Sequence, residues 1–276
     1  MNPLGLEMLT LLGMPPVDYV RLAADLGCAE VSTGLSGLPL AMFGLADRFY
    51  PDWSLRGDPA LRREMQAALA DSGVKIGLAE GFRAAAGTDV ADYAADLDLF
   101  AELGALRLNA ICMDDDLVVG SSGAKDQLAV LAEMTAERGM MFTIEFFPPT
   151  GITSLAVALD IIGHIGAGRA RLLLDTMHLF RTGSTVADIA ALDPDLIGYV
   201  QLSDSRLAPH DAAYMQTAMF ARDVPGEGEL PLRELMAVLP ADVTVSLEVP
   251  NLEALRQAPP REHAARCVAA ARALWG

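Results

Sequence analysis

The sequence is poor in basic residues and cysteines, and each shortage excludes a class of protein. Only 20 Lys and Arg stand against 37 Asp and Glu, a net charge of −17, in 276 residues. Nucleic-acid binding depends on clustered Lys and Arg, so we expect no nucleic-acid partner. The cysteines Cys28, Cys112 and Cys267 are widely separated and form no Cys-x-x-Cys pair. They are not a disulfide framework but are typical of a reducing compartment, which predicts a cytoplasmic protein.

Long apolar segments and nucleotide-binding motifs are also missing. No run approaches the roughly 18 uninterrupted apolar residues that a membrane span needs, and Met1–Leu4 lacks the basic segment that opens a signal peptide. We therefore expect no membrane partner. No Gly-x-Gly-x-x-Gly opens a helix after the first apolar run, which disfavours a doubly wound dinucleotide-binding sheet. Because 52% of the residues are hydrophobic, the chain has ample material for a large core.

Apolar runs and helical patterns alternate eight times along the chain. The apolar runs are Leu4–Leu12, Cys28–Thr33, Val74–Ala79, Leu106–Cys112, Met140–Phe146, Arg171–Leu174, Ile197–Leu202 and Val243–Val249. The helical patterns are Val17–Leu26, Pro59–Ala70, Asp89–Leu103, Ala124–Arg138, Leu155–Ile165, Val186–Leu192, Pro231–Leu239 and Arg261–Leu274. Continuous apolar runs are typical of parallel strands buried on both faces. The sequence predicts an α/β protein with a (β/α)8 TIM barrel in a single domain, residues 1–276, with an open doubly wound sheet as the alternative.

Polar side chains end four successive predicted strands. They are Glu145, Asp175, Gln201 and Glu248, at the carboxyl ends of the fifth to eighth apolar runs. The carboxyl ends of barrel strands share one rim, where barrel chemistry lies. Three carboxylates meeting there would repel one another unless a cation neutralised them. An all-oxygen ligand set suits Mn²⁺ or Mg²⁺, so we expect these four residues to bind such an ion.

Further residues near the same rim are candidates for chemistry or substrate binding. His178, three residues after Asp175, is a candidate catalytic residue because imidazole titrates near neutral pH. The candidate substrate-binding residues are Glu80, Arg83, Asn109, Arg206, His210, Arg222 and Glu227. The arginines would suit an anionic substrate group. His164 and His263 fall in outer helices and are expected to be solvated, and the acidic run at 114–116 is more typical of an exposed turn than of a second metal site.

Two predicted connections are longer than a barrel requires. Gly34–Asp58 contains several aromatic residues, and Ser205–Pro225 contains His210 and Arg222. Both follow strands, and long loops in compact domains are often lids or binding loops. The aromatic residues of Gly34–Asp58 would suit either a wall of the pocket or a contact between subunits, and the sequence leaves this open.

The order of these motifs resembles the xylose-isomerase-like TIM barrels along the whole chain. The resemblance rests on Ile144-Glu145-Phe146, Leu174-Asp175-Thr176-Met177-His178, Val200-Gln201-Leu202-Ser203-Asp204, Pro225-Gly226-Glu227-Gly228-Glu229 and Leu247-Glu248-Val249-Pro250. It implies a metal ion held by Glu145, Asp175, Gln201 and Glu248, with His178 beside the substrate. It also implies that Glu145 and Glu248 flank the substrate and move its proton. A homo-oligomer is compatible with it, since such barrels often pair.

The sequence departs from the related epimerases at two places. Many of them have histidine where this chain has Gln201, and the glutamine resembles the hydroxypyruvate-isomerase variant. They also have a second glutamate shortly after the ligand on strand five, whereas residues Phe146–Gly151 contain none. A ketohexose epimerase is therefore a weaker expectation than another isomerase of the group.

These observations predict a metal-dependent isomerase or epimerase of a small polyhydroxylated ketone or sugar. The cation would stabilise the enediolate that forms when a proton next to the carbonyl is removed. If the substrate carries a leaving hydroxyl, the same intermediate leads to a dehydratase acting on a cyclic polyhydroxy ketone. A non-catalytic sugar-binding subunit is a third hypothesis. An abasic-site endonuclease would need a histidine-rich zinc cluster and a basic DNA-binding face. It is excluded, because the chain has only four histidines and a net charge of −17.

Overall fold

Eight parallel strands close into a barrel in the order β1 to β8, with β8 paired to β1. The computed structural model describes residues 2–38, 49–113, 122–148, 150–166, 168–207 and 213–275. The strands are β1 Leu4–Leu6, β2 Glu30–Thr33, β3 Lys75–Ala84, β4 Arg107–Cys112, β5 Met141–Glu145, β6 Ala170–Asp175, β7 Ile197–Leu202 and β8 Val245–Leu247. The prediction of a single (β/α)8 barrel is confirmed, and the open doubly wound sheet is wrong.

Helices occupy the connections between the strands and the segment after β8. They are α1 Pro16–Asp25, α2 Pro59–Ser72, α3 Ala94–Glu102, α4 Ser122–Glu137, α5 Leu155–Ile165, α6 Thr176–Arg181, α7 Val186–Ala190, α8 Tyr214–Phe220, α9 Leu232–Val238, α10 Leu252–Gln257 and α11 Pro260–Leu274. Local sequence sets their ends: α2 follows Asp58, whose carboxylate accepts hydrogen bonds from the amides of Ala60 and Leu61. No helix in the described part of the chain is long and apolar enough to cross a membrane.

Side chains alternate along each strand between the outer face, which packs against the helices, and the interior of the barrel. Leu172 and Leu174 belong to the large core that packs against the helices. Leu173, between them, packs inside the barrel with Leu78 and Tyr199. Because side chains alternate between faces, the residue two positions after Leu173 also points inward. Polar residues at the ends of several strands therefore meet on the barrel axis, above an apolar layer.

Two strands differ in length from the predicted apolar runs. β1 ends at Leu6, and residues Met8–Leu11 form a 3-10 turn where the sequence suggested one run to Leu12. β3 extends to Ala84, past a register shift against β4 between Ala79 and Phe82. Such a bulge re-aims side chains locally. Glu80 and Arg83 consequently lie within β3, whereas the sequence placed them in the connection after it.

The connections after β6, β7 and β8 contain short helices that the sequence patterns did not predict. These are α6, α8 and α10, of six, seven and six residues. Segments this short contain too few turns for a helical repeat to stand out. The candidate residue His210 and the acidic run at 114–116 lie outside the described residues, as do residues 39–48 of the long connection after β2.

Candidate active site at the mouth of the barrel

The four side chains predicted to bind a metal meet at the carboxyl end of the barrel. Glu145, Asp175, Gln201 and Glu248 are 9%, 1%, 1% and 6% exposed. Asp175 and Gln201 are register partners on β6 and β7. The amide nitrogen of Gln201 lies 3.2 Å from Oε1 of Glu248. The four residues thus form one buried polar group, as neighbouring strand ends require.

Arg222 reaches this group from the connection after β7. Its Nη1 pairs with Oδ2 of Asp175 and lies 3.1 Å from Oε2 of Glu248. The side chain is 2% exposed, and its Nε donates to the carbonyl of Ala218 at 2.8 Å. A buried guanidinium needs acceptors for its fixed fork of donors, and the two carboxylates provide them. Arg222, predicted to bind substrate, therefore also neutralises two of the predicted metal ligands.

His178 lies in the first turn of α6, beside Glu145 and Asp175. Oδ1 of Asp175 accepts a hydrogen bond from the His178 amide at 2.9 Å, which caps the helix and fixes the position of the histidine. The Nε2 atom lies 3.6 Å from Oε1 of Glu145, and Nδ1 lies 2.6 Å from the hydroxyl of Tyr214. The imidazole is stacked between Phe147 and Tyr214. Burial lowers the pKa of His178 to about 4, so the ring is neutral at pH 7.

Two more glutamates complete the acidic group, and one of them was missed in the sequence. Glu7 follows β1 and is 0% exposed, and Glu80 lies on β3. Both side chains lie within hydrogen-bonding distance of the Gln201 amide nitrogen, Oε2 of Glu7 at 3.2 Å and Oε1 of Glu80 at 3.4 Å. Glu7 ends the Leu4-Gly5-Leu6 strand as Glu145 ends its own strand. The strand boundary at Glu7 was not recognised in the sequence, because further apolar residues follow it as far as Leu12.

Burial is the largest single influence on the pKa of each of the five carboxyl groups. Burial, together with repulsion from Asp175, raises the pKa of Glu145 to about 7. Burial also raises the pKa values of Glu7, Glu80 and Glu248 above the ordinary glutamate value. Burial alone would disfavour the ionised form of Asp175, but Arg222 holds the pKa of this carboxyl well below its usual range. The site thus contains more acid than its buried arginine balances.

A cavity of about 490 Å³ opens onto these groups. Glu145, Glu248 and His178 line it, as predicted for residues beside a substrate. Glu80, Arg83, Asn109 and Arg222 line it as well, four of the predicted substrate-binding residues. Met215, Ala218 and Met219 of α8 form part of the apolar wall. The volume lies within the range of small-molecule sites.

Two other predicted substrate-binding residues lie away from the lining of this cavity. Arg206 is exposed, and Glu227 pairs with Arg266 of α11 at the surface. The turn that contains Glu227 is fixed by Asp204, whose carboxylate accepts hydrogen bonds from the amides of Gly226 and Leu230 at 2.8 and 3.0 Å. In this arrangement the glycine-containing segment is a structural turn, and a substrate role for Arg206 or Glu227 stays a prediction.

The donor atoms of the site fit a divalent cation. Ligand atoms of Glu145, Asp175 and His178 lie within 4.8 Å of one another, as do those of Glu7, Glu80 and Glu248. Oε1 of Gln201 is buried and has no hydrogen-bond partner among the described residues. An unpaired buried amide oxygen costs free energy that a bound ion would recover. An excess of buried carboxyl groups also favours a cation, because buried negative charge without a positive partner is costly.

The chain matches a family model and several solved structures. The model described as "Xylose isomerase-like TIM barrel" matches residues 20–271. None of the curated proteins compared with the chain matches it. The IolI protein with a bound zinc atom is 14% identical with a TM-score of 0.76, covering 99% of this chain and 97% of IolI.

Two enzymes have similar folds. D-psicose 3-epimerase from Clostridium cellulolyticum H10 is 13% identical with a TM-score of 0.71, and the match covers 99% of both chains. The probable 3-DHS dehydratase AsbF from Bacillus anthracis is 15% identical with a TM-score of 0.72, covering 99% of this chain and 98% of AsbF. A fusion of a xylose isomerase-like barrel with a 4-hydroxyphenylpyruvate dioxygenase is 20% identical with a TM-score of 0.73, covering 95% of this chain and 41% of the fusion. At these identities the likeness concerns the fold.

Proposed function

Because the chain belongs to the xylose isomerase-like TIM barrel family, we propose that it is a divalent-metal-dependent isomerase or epimerase. Its substrate would be a small polyhydroxylated ketone or sugar, from which it removes a proton next to the carbonyl. The observation that carries the proposal is the buried group at the cavity floor. Carboxyl groups outnumber the buried arginine there, and the Gln201 amide oxygen has no partner among the described residues.

Glu145, Asp175, Gln201 and Glu248 would hold the ion, with Mn²⁺ or Mg²⁺ favoured by their oxygen donors. When bound, the ion supplies Lewis-acid polarisation of the substrate carbonyl and stabilises the enediolate charge. The zinc atom of the IolI structure makes zinc a necessary comparison in any metal assay. His178, whose Nε2 lies near both Glu145 and Asp175, would sit beside the ion or the substrate.

Glu145 and Glu248 are the bases that would remove and return the proton. Both line the cavity, and they project from strands β5 and β8. Asn109 donates to Oε2 of Glu145 at 2.8 Å, which fixes the orientation of that carboxyl group. His178 remains neutral because it is buried, so it would donate to or accept from a substrate oxygen without adding charge. Arg83 and Arg222 would bind polar or anionic parts of the substrate.

A dehydratase is the second candidate, and one feature of the sequence weakens a competing reaction, that of a ketohexose epimerase. Residues Phe146–Gly151 lack the additional glutamate that the related ketohexose epimerases have after strand five. AsbF, a probable 3-DHS dehydratase, has a similar fold. In this alternative the same proton is removed from a cyclic polyhydroxy ketone, and loss of a hydroxyl group replaces return of the proton.

Metal analysis and product mass test the proposal together. We expect about one Mn²⁺ or Mg²⁺ per chain in the purified protein, and none in Asp175→Ala. With ketoses and cyclic polyhydroxy ketones in D₂O, an isomerase or epimerase gives an isomer of the substrate, heavier only by the deuterium that replaces the abstracted hydrogen. A dehydratase gives a product lighter by one water. Binding of no divalent ion, zinc included, would contradict both and favour the sugar-binding subunit.

A further inference from the structure

The side-chain amide of Gln201 is surrounded by three carboxyl groups on one side. Its Nε2 lies 3.2 Å from Oε2 of Glu7, 3.2 Å from Oε1 of Glu248 and 3.4 Å from Oε1 of Glu80. Gln201 is 1% exposed and Glu7 is 0% exposed. Glu248 follows the neighbouring strand β8, whereas Glu7 follows β1 and Glu80 lies on β3, so contacts from beyond the neighbouring strands also hold the amide of β7.

This environment determines which way the amide faces. An NH₂ group has two hydrogens to donate, and each of the three neighbouring carboxyl groups presents an acceptor oxygen to it. With the amide turned by 180°, Oε1 would face three carboxyl groups and repel those that are ionised. Glu7 is itself fixed, because its Oε1 accepts a hydrogen bond from the Tyr199 hydroxyl at 2.7 Å. Its Oε2 is therefore the atom that receives the amide hydrogen.

The consequence is a free oxygen on the other end of the same amide. Oε1 of Gln201 is buried and without a hydrogen-bond partner in the described residues. We propose that Glu7 is a positioning residue, which binds the Gln201 NH₂ group and so presents Oε1 to the divalent ion. The inference rests on the proposed metal-dependent function. It assigns a role to a side chain that does not line the cavity and that the sequence did not single out.

The alternative use of this region is a second cation site, because the ligand atoms of Glu7, Glu80 and Glu248 lie within 4.8 Å of one another. The contacts of Gln201 argue against it. Its NH₂ group already lies between the three carboxyl groups, at hydrogen-bonding distance from each. A cation there would have to displace the amide. One ion per chain is therefore expected.

The test measures the dissociation constant of Mn²⁺ for single variants. Glu7→Met removes the acceptor but keeps a side chain of similar length, and we expect it to weaken Mn²⁺ binding by about 10- to 100-fold. Glu7→Gln retains an acceptor oxygen without the charge, and should bind within about threefold of wild type if the hydrogen bond is what matters. Glu30→Met is the matched control, since it removes a buried glutamate that pairs with Arg107 rather than with Gln201, and it should leave Mn²⁺ binding within about threefold of wild type. Glu7→Ala replaces Glu7→Met if the latter does not fold.

A double-mutant cycle separates positioning from simple loss of charge. In the Gln201→Ala background, Glu7→Met should weaken Mn²⁺ binding no further, because the residue through which Glu7 acts is gone. Equal effects of Glu7→Met in both backgrounds, or equal weakening by Glu7→Gln and Glu7→Met, would overturn the inference. Two Mn²⁺ ions in wild type and one in Glu7→Gln would also overturn it, in favour of a second cation site. If wild type binds no divalent ion, the proposed function fails together with this inference; if only the Glu7 pattern fails, the proposed function stands.

Discussion

Arg222 is the residue whose removal should most disturb the metal-free site. It is buried between Asp175 and Glu248, and loss of one partner leaves buried charge without compensation. We expect Arg222→Met to lower the free energy of unfolding by about 3–5 kcal/mol in the presence of EDTA. Urea denaturation measures this.

The exposed pair of Arg266 with Glu227 provides the control for Arg222. Arg266→Met should cost less than about 1 kcal/mol, because both partners are solvated. Excess Mn²⁺ should recover part of the loss in Arg222→Met, since a bound cation would also neutralise the carboxylates. Equal losses in the two variants would show that Arg222 carries no special electrostatic role.

Glu145 and Glu248 should be essential for turnover but not for folding. Glu145→Gln and Glu248→Gln keep the size of the side chain and remove the base, so we expect turnover to fall by about 10²- to 10⁴-fold. Circular dichroism should match that of wild type. Glu253→Gln, on α10, is a suitable control because Glu253 hydrogen-bonds Gln257 on the same helix. Full activity in both active-site variants would refute the assignment.

His263 gives the protein a dependence of stability on pH outside the site. It is 3% exposed, which corrects the expectation that it is solvated, and its Nε2 lies 2.8 Å from the carbonyl oxygen of Val249. Burial lowers its pKa from the ordinary value of 6.5. The unfolded chain therefore binds the proton more readily, so this contribution is complete above pH 6.5 and is lost as the pH falls below it.

The expected result is a loss of stability in wild type relative to His263→Gln between pH 7.5 and pH 5. Glutamine can still donate to the Val249 carbonyl but does not titrate. Denaturation curves at several pH values measure the difference between the two proteins, so that effects of the carboxyl groups common to both cancel. A difference that does not change with pH would rule out His263 as the source.

At the scale of elements, the conformation of the turn before α9 depends on a glycine, Gly228. A Cβ atom at Gly228 would lie 2.6 Å from both the backbone nitrogen and the backbone oxygen of Ser205. Backbone atoms at that distance cannot move away cheaply. We expect Gly228→Ala to lower the free energy of unfolding by about 1–3 kcal/mol, as overpacking does in cores.

Gly163→Ala on α5 is the control for this prediction. Nothing lies within 4 Å of a Cβ atom built there, and alanine favours helix over glycine, so this variant should be neutral or stabilising by up to about 1 kcal/mol. Chemical denaturation compares the two. Similar behaviour of both glycine variants would show that the turn relaxes around the added methyl group.

The strands show how far sequence reasoning reaches at this scale. The ends of the apolar runs placed Glu145, Asp175, Gln201 and Glu248 at strand ends, as the structure has them, because the apolar residues before them form a clear boundary. Glu7 was lost because the 3-10 turn that follows it is itself apolar. Glu80 was recognised, but its place within β3 depends on a register shift that no local pattern reports.

At the scale of the whole molecule, a bound ion should stabilise the entire barrel. Its predicted ligands come from four strands, so binding links β5 through β8. At 100 times its dissociation constant, Mn²⁺ should add about 2.7 kcal/mol, a rise in Tm of roughly 5–10 °C for a chain of this size. Differential scanning calorimetry with and without EDTA measures it.

The Asp175→Ala variant should lose this rise in Tm with Mn²⁺, whereas Asp160→Ala, at an exposed position, should keep it. Asp160 pairs with Lys125 on the outer surface and is 64% exposed. A rise of the same size in wild type and Asp175→Ala would show that Mn²⁺ binds elsewhere on this acidic protein.

The sequence by itself determined the barrel, since eight apolar runs separated by helical patterns admit few other closed arrangements. It also determined which residues end four neighbouring strands, because the boundaries of apolar runs are properties of short segments. Only the tertiary structure decided what lies across the barrel from them. Closure brings Glu7 of the first strand against Gln201 of the seventh, and the connection after β7 turns Arg222 inward onto Asp175. Those contacts join residues distant in sequence, and no local pattern encodes the distance between them.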